Sequence, residues 1–225
     1  GLMRQMDSIA NNLANVSTTG FRRESLIFSE FVVDTGPAAD SLSMANGTVR
    51  QRDLSQGGLV LTNGTFDFAI EGPGFFQVAT PEGNSLTRAG AFTPSANGEL
   101  VAPDGSLLLD AGGAPVLVPP DASDITLGAD GTLAANGVPL AQIGLWLPAD
   151  PLGMGRAEGT RFDAGENVVP AEDGKIVQGY IEKSNVDSVS EIARMIQVQR
   201  AYELGQSFLD KEDERIRNTL RTMGQ

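Results

Sequence analysis

The chain has 225 residues, 40% of them hydrophobic, a formal net charge of −13, and neither histidine nor cysteine. That length is one large domain or one and a half ordinary ones. The two missing residue types exclude disulfides, zinc–cysteine sites, thiolate nucleophiles and every Ser-His-Asp or Cys-His catalytic arrangement.

No run of 18 apolar residues is present, so no segment reads as a membrane-spanning helix. No basic, apolar, small-residue signal segment opens the chain, and its first residue is Gly1 rather than Met, as in a fragment without its natural start. The negative charge is concentrated in the middle. From Val60 to Lys175 there are 15 acidic and 4 basic residues, whereas the last forty residues hold 7 and 6. Such a surface repels nucleic acid and anionic membranes. Solubility is its ordinary meaning; cation binding is the alternative.

Residues 1–16 read as a helix. Leu2, Met6, Ile9, Leu13 and Val16 recur at alternating spacings of four and three, and Gly20 is a plausible stop after Ser17-Thr18-Thr19. The opposite face carries Ser8, Asn11, Asn12 and Asn15. Asn competes for backbone hydrogen bonds and is a poor helix former. Two readings stand: a solvated polar face, or a buried polar seam between subunits in which amides set register.

Residues 1–33 hold this helix and the segment after it. Residues 34–56 are polar and rich in Gly, Ser and Ala, and read as a linker arm. Residues 57–183 form a central β domain of many short strands. Asn-Gly recurs at 46–47, 63–64, 97–98 and 136–137, and Asp-Gly at 104–105, 130–131 and 173–174. These are turn dipeptides, and they separate short apolar or alternating runs. Phe66, Phe68, Ile70, Phe75, Phe76, Phe92 and Trp146 are its expected core. Gly72-Pro73-Gly74 reads as a turn between strands, since no Lys-Ser/Thr follows it to make a phosphate loop. Arg88 is the only base between Val60 and Gly155; it is either solvated or paired with a neighbouring subunit.

Residues 184–225 hold the second helix, expected over 186–223 with Ser190 and Glu191 near its start. Met195, Val198, Tyr202, Leu209, Ile216, Leu220 and Met223 form one stripe, and Val189, Ile192, Ala193, Ile196 and Leu204 lie broadly opposite. The fold class is therefore mainly β with α-helical ends. The β domain is bracketed by N- and C-terminal helices expected to pair in a coiled-coil-like layer. Helices with apolar residues on several sides need more neighbours than one chain supplies, and identical chains meeting head to tail give an open filament.

The run Ile9-Ala10-Asn11-Asn12-Leu13-Ala14-Asn15-Val16-Ser17-Thr18-Thr19-Gly20-Phe21-Arg22 resembles the N-terminal signature of bacterial flagellar rod and hook proteins. Ser184-Asn185-Val186-Asp187, with Met195-Ile196 and Gln199-Arg200-Ala201-Tyr202-Glu203, resembles their C-terminal signature. Phe66 to Phe76 and Thr87 to Phe92 are similar to their middle region. The resemblance implies a non-enzymatic structural subunit of the basal-body rod, which carries torque from motor to hook, with terminal helices lining an inner tube and the β domain outside.

It also implies that the family's first helix starts upstream of Gly1. Its partners would be other rod proteins and copies of itself, and export across the periplasm would use the flagellar type III apparatus without a cleaved signal peptide. No cofactor, metal, nucleic acid or small-molecule substrate is implied. The length and the lack of a long extra domain resemble a proximal rod member, with a distal rod or hook member as the alternative. The candidate assembly interface is Met6, Ile9, Asn11, Asn12, Leu13, Asn15, Val16, Val189, Ile192, Met195, Ile196, Gln199, Tyr202 and Leu209.

A reading from another class is a secreted β-domain carbohydrate binder or enzyme with oligomerising helices. Without His and Cys it has only carboxylates, Lys and Tyr for acid–base work. Asp121-Ala122-Ser123-Asp124 with Asp130-Gly131 lacks the ligand order of an EF-hand and reads as turn chemistry.

Overall fold

A computed structural model describes residues 1–33, 42–150, 154–163, 165 and 167–223. The chain is mostly β with a helix at each end, and divides into two compact bodies. The helical body comprises residues 1–14, 24–52 and 187–225; the β body comprises residues 15–23 and 53–186.

In the helical body, α1 (Leu2–Ala14) packs against α2 (Ser188–Met223), and β1 (Glu24–Val33) pairs antiparallel with β2 (Leu42–Arg52). Two expectations change here. Much of the expected linker arm is a paired strand, while residues 34–41 lie outside the described residues. Asn46-Gly47 is not a turn: it sits within β2, beside a bulge where Ile27 pairs with Val49 and Phe28 with Gly47. Composition misled because a bulged strand uses the same residues as a loop.

α1 stops at Ala14, two residues before the expected end. In the β body, residues 15–20 turn, and Gly20 has φ of 71°, the left-handed conformation glycine adopts at no steric cost. A Cβ there would lie 2.3 Å from the backbone nitrogen of Ala89. The motif glycine is thus needed both for its dihedral and for the chain passing against it.

The strand Phe75–Thr80 is the hub of the β body. It pairs antiparallel with Gly83–Thr87, Leu107–Leu108 and Leu145–Pro148. Lys175–Gln178 pairs with Phe68–Glu71, and Tyr180–Glu182 with Leu59–Leu61. Asn136 (φ 52°) and Gly137 (φ 79°) make the tight turn between Thr132–Ala135 and Val138–Gln142. The Gly72-Pro73-Gly74 turn joins Phe68–Glu71 to the hub strand, with φ of 97° and 119° at its glycines.

The main core gathers Phe68, Ile70, Phe76, Phe92, Leu100, Leu108, Leu133 and Ile143, with Phe66 packed at its margin. Phe92 meets Phe76 edge-on, ring centres 5.8 Å apart. Phe75 and Trp146 fall instead in a smaller cluster with Leu86, Met154 and Phe162. The alternation of the hub strand explains the split, since Phe75 and Phe76 face opposite sides of the sheet. Full burial of each large side chain contributes about 1.5–3 kcal/mol, so this body holds its own core.

Candidate assembly surface

The N-terminal Asn residues separate on folding. Asn12, 1% exposed, is the polar centre of the helical body. Its Oδ1 accepts the Glu24 N–H at 2.9 Å, and its Nδ2 donates to the Glu24 carbonyl at 2.8 Å and to Glu191 Oε2 at 3.2 Å. Ser8 Oγ donates to the same carbonyl at 3.1 Å. This corrects the expected intersubunit seam: the Asn12 amide is used inside the chain, tying α1 to the starts of β1 and α2.

Asn11 sits at the margin, 3.5 Å from Glu24 Oε2. Asn15 lies beyond the end of α1, where its Oδ1 accepts the Thr18 hydroxyl at 3.2 Å. The helical arc expected to hold all three therefore breaks after Asn12.

The apolar residues of the expected interface divide by exposure. Ile9 is buried, as is Val198 of the α2 stripe outside that interface, while Met6, Leu13, Val16 and Met195 are half-buried. Val189, Ile192, Ile196, Tyr202 and Leu209 are exposed, as are Leu204, Phe208 and Ile216. Gln199 is exposed and donates to Glu203 Oε1 at 3.4 Å within the helix. The side chains of Leu220 and Met223 lie outside the described residues.

Length accounts for the division. At about 1.5 Å per residue, α1 is roughly 20 Å long and α2 roughly 54 Å. One helix of that length covers well under half of the other. From Gln199 to Thr219 every side chain of α2 is exposed except half-buried Glu212. Leu204 (72% exposed), Phe208 (63%) and Leu209 (66%) form an apolar patch on it.

The β body has a buried ionic cluster that sequence reasoning missed. Glu182 is fully buried and takes Arg22 on Oε1 and Arg88 on Oε2, the latter at 3.2 Å. Gly57 N–H donates to Oε1 at 2.7 Å, and Arg88 donates onward to the Gly72 carbonyl at 2.8 Å. Arg88 also lies over the Phe75 ring, 5.1 Å from its centre. Burial lowers the pKa of both guanidiniums, and Glu182 opposes that shift.

Both expectations for Arg88 are thereby corrected. It is neither solvated nor paired with another subunit, because Glu182, ninety-four positions along the chain, neutralises it. A residue 3% exposed with so distant a partner leaves no local signal.

Among the described residues, no group of three or more Asp or Glu is placed to hold a metal ion, and no helix is long and apolar enough to cross a membrane.

Three family descriptions match in chain order: the flagella basal body rod protein over residues 2–22, the flagellar hook protein FlgE/F/G D1 domain over 69–135, and the flagellar basal body rod FlgEFG protein C-terminal over 177–222. The flagellar basal-body rod protein FlgF of Mesorhizobium japonicum is 35% identical, covering 99% of this chain and 93% of its own. That of Rhizobium meliloti is 33% identical with the same coverage. The flagellar basal-body rod protein FlgG of Agrobacterium fabrum is 32% identical over 93% of this chain and 90% of its own. With signatures in both terminal segments and in the β body, and near-full-length relatives, the chain belongs to the flagellar basal-body rod protein family.

Proposed function

We propose that the chain is a non-enzymatic structural subunit of the proximal flagellar rod, assembling with copies of itself and with other rod proteins into the shaft that transmits torque from motor to hook. The observation carrying this is the mismatch between a 13-residue α1 and a 36-residue α2 that presents Leu204, Phe208 and Leu209 to solvent. An apolar helix face left exposed among the described residues is a candidate interface, and identical subunits meeting head to tail build filaments.

The proximal assignment follows the relatives named FlgF. Asn12 meets Glu191, whereas Leu2 and Gln5 share a cleft with Val198 and Ala201. This supports an antiparallel, coiled-coil-like pair of helices as the inner-tube layer. Val189, Ile192, Ile196, Gln199, Tyr202 and Leu209 are the positions facing neighbouring subunits. The chain's site of assembly is the flagellar basal body, reached through the flagellar type III apparatus.

The test is a Phe208→Asp, Leu209→Asp double variant. Exposed sites of this kind move monomer stability by within about 0.5 kcal/mol, so the monomer should melt as the wild type does. Purified basal bodies should then lack complete rods by electron microscopy. Complete rods would remove this face of α2 from the interface.

A further inference from the structure

The Ser184-Asn185-Val186-Asp187 motif holds a side chain that assembly through the helices leaves unexplained. The chain crosses the boundary of the β body at three places: after Arg23, before Asp53 and after Val186. Within the β body, the three segments at these crossings are laced together. Gly20 N–H donates to the Glu182 carbonyl at 2.8 Å, Lys183 N–H to the Gly58 carbonyl at 2.9 Å, and Asp53 N–H to the Arg23 carbonyl at 2.9 Å.

Asn185 joins all three segments through one side chain. Its Oδ1 accepts the Arg23 N–H at 2.7 Å. Its Nδ2 donates to the Asp53 carbonyl at 2.8 Å and to the Ser55 carbonyl at 3.0 Å. A primary amide carries both an acceptor and two donors at one short reach. A carboxylate keeps the acceptor and loses the donors, and an alkyl side chain loses both. The buried Glu182 cluster anchors the same three segments one layer deeper, through Arg22 and the Gly57 N–H.

We infer that Asn185 is a positioning residue that pins the three chain crossings into one bundle. Force leaving the β body is then shared by three covalent strands held in fixed order, rather than passed along three independent tethers. The lacing stands on the hydrogen bonds alone; only its consequence for torque rests on the rod reading.

The full-length chain tests this with Asn185→Ala and Asn185→Asp. Arg23, Arg52 and Lys183 lie at the crossings, so trypsin reads their opening directly. Cleavage there should rise at least about tenfold in Asn185→Ala, following the open population, with the unfolding midpoint reported by the lone Trp146 unchanged. Asn185→Asp, which keeps the acceptor for Arg23 N–H, should fall between. Unchanged cleavage, or cleavage rising only in step with a lower midpoint, overturns the pin.

In a strain lacking the wild-type protein, Asn185→Ala should complete rods but lose swimming speed more steeply than wild type as viscosity rises. If Asn185→Ala completes no rods, Asn185→Asp carries that comparison. Parallel viscosity curves overturn load sharing while leaving the tryptic result intact. Failure of the wild-type chain to restore rods overturns the rod reading instead.

Discussion

In the β body, Phe68, Ile70, Phe76 and Leu108 are inaccessible to solvent, and the buried charges of Arg22 and Arg88 converge on one carboxylate from the same body. In the helical body, Asn12 and Ile9 are sealed just as tightly on one side, yet Leu204, Phe208 and Leu209 remain open to water on α2. The β body buries its core and its ion pairs within the chain, and the helical body closes the contacts that fix where α2 begins. The β body carries its own core, while the α2 face stays open to water.

The sharpest way to break this contrast is to remove the carboxylate. Glu182→Ala removes the carboxylate that both Arg22 and Arg88 pair with, and breaking a buried pair in this way costs about 3–5 kcal/mol. Urea unfolding followed by Trp146 fluorescence should show that loss. Glu182→Gln, which still accepts the Gly57 N–H, should lose less. A change under about 1 kcal/mol for Glu182→Ala would mean that water or backbone groups replace the ion pairs, and the β body would not be self-contained in the sense argued.

A smaller effect is expected at Asn12. Asn12→Ala strands the Glu24 N–H and deprives the Glu24 carbonyl and Glu191 of a donor, at a cost of about 1–3 kcal/mol. The loss should appear in the monomer, as faster amide exchange along α1 and at Glu24, with the Trp146-reported midpoint unchanged. Asn15→Ala disturbs the turn contact with Thr18 and should leave α1 exchange as in the wild type. Wild-type exchange in Asn12→Ala, combined with failed assembly, would return this amide to a seam between subunits.

These two residues also mark what the sequence made legible. Helices, turns and β core were readable because each rests on local signals: the spacing of Leu2, Met6 and Ile9, positive φ at Asn136-Gly137, and apolar runs around Phe68 and Phe76. The exposed α2 positions Val189, Ile192, Ile196 and Leu209 were readable as apolar residues on more than one side of the helix. Asn12 was singled out for the right reason, an amide unusual on a solvated face, but its partners lie 12 and 179 positions away. Glu182 was not singled out at all. An isolated Glu before a polar motif looks like a surface residue, and only the fold brings Arg22 and Arg88 to it.

The start of α2 offers the finest test of where the chain's own contacts end. Asp187, rather than Ser190 or Glu191, is the cap. Its Oδ1 accepts the Val189 N–H at 3.2 Å, its Oδ2 accepts the Ser190 hydroxyl, and its carbonyl accepts the Glu191 N–H at 3.0 Å. The Ser190 hydroxyl, and then the Val189 N–H, hold the carboxyl below the usual range for Asp. A carboxyl whose pKa is lower in the folded state stabilises the fold above its unfolded value of about 3.9, and that contribution fades as pH falls through the folded value. Acidification below about pH 4 should therefore fray the first turn of α2 and speed exchange at Val189 and Glu191. Asn is an equally good cap but does not titrate, so Asp187→Asn should hold that turn at neutral pH and lose less of it in acid. Solvent exposure of Asp187 keeps the effect small, and it is read as the difference between the two proteins at each pH. Identical acid profiles would show that the Asn12–Glu191 contact, and not the cap, fixes where α2 begins.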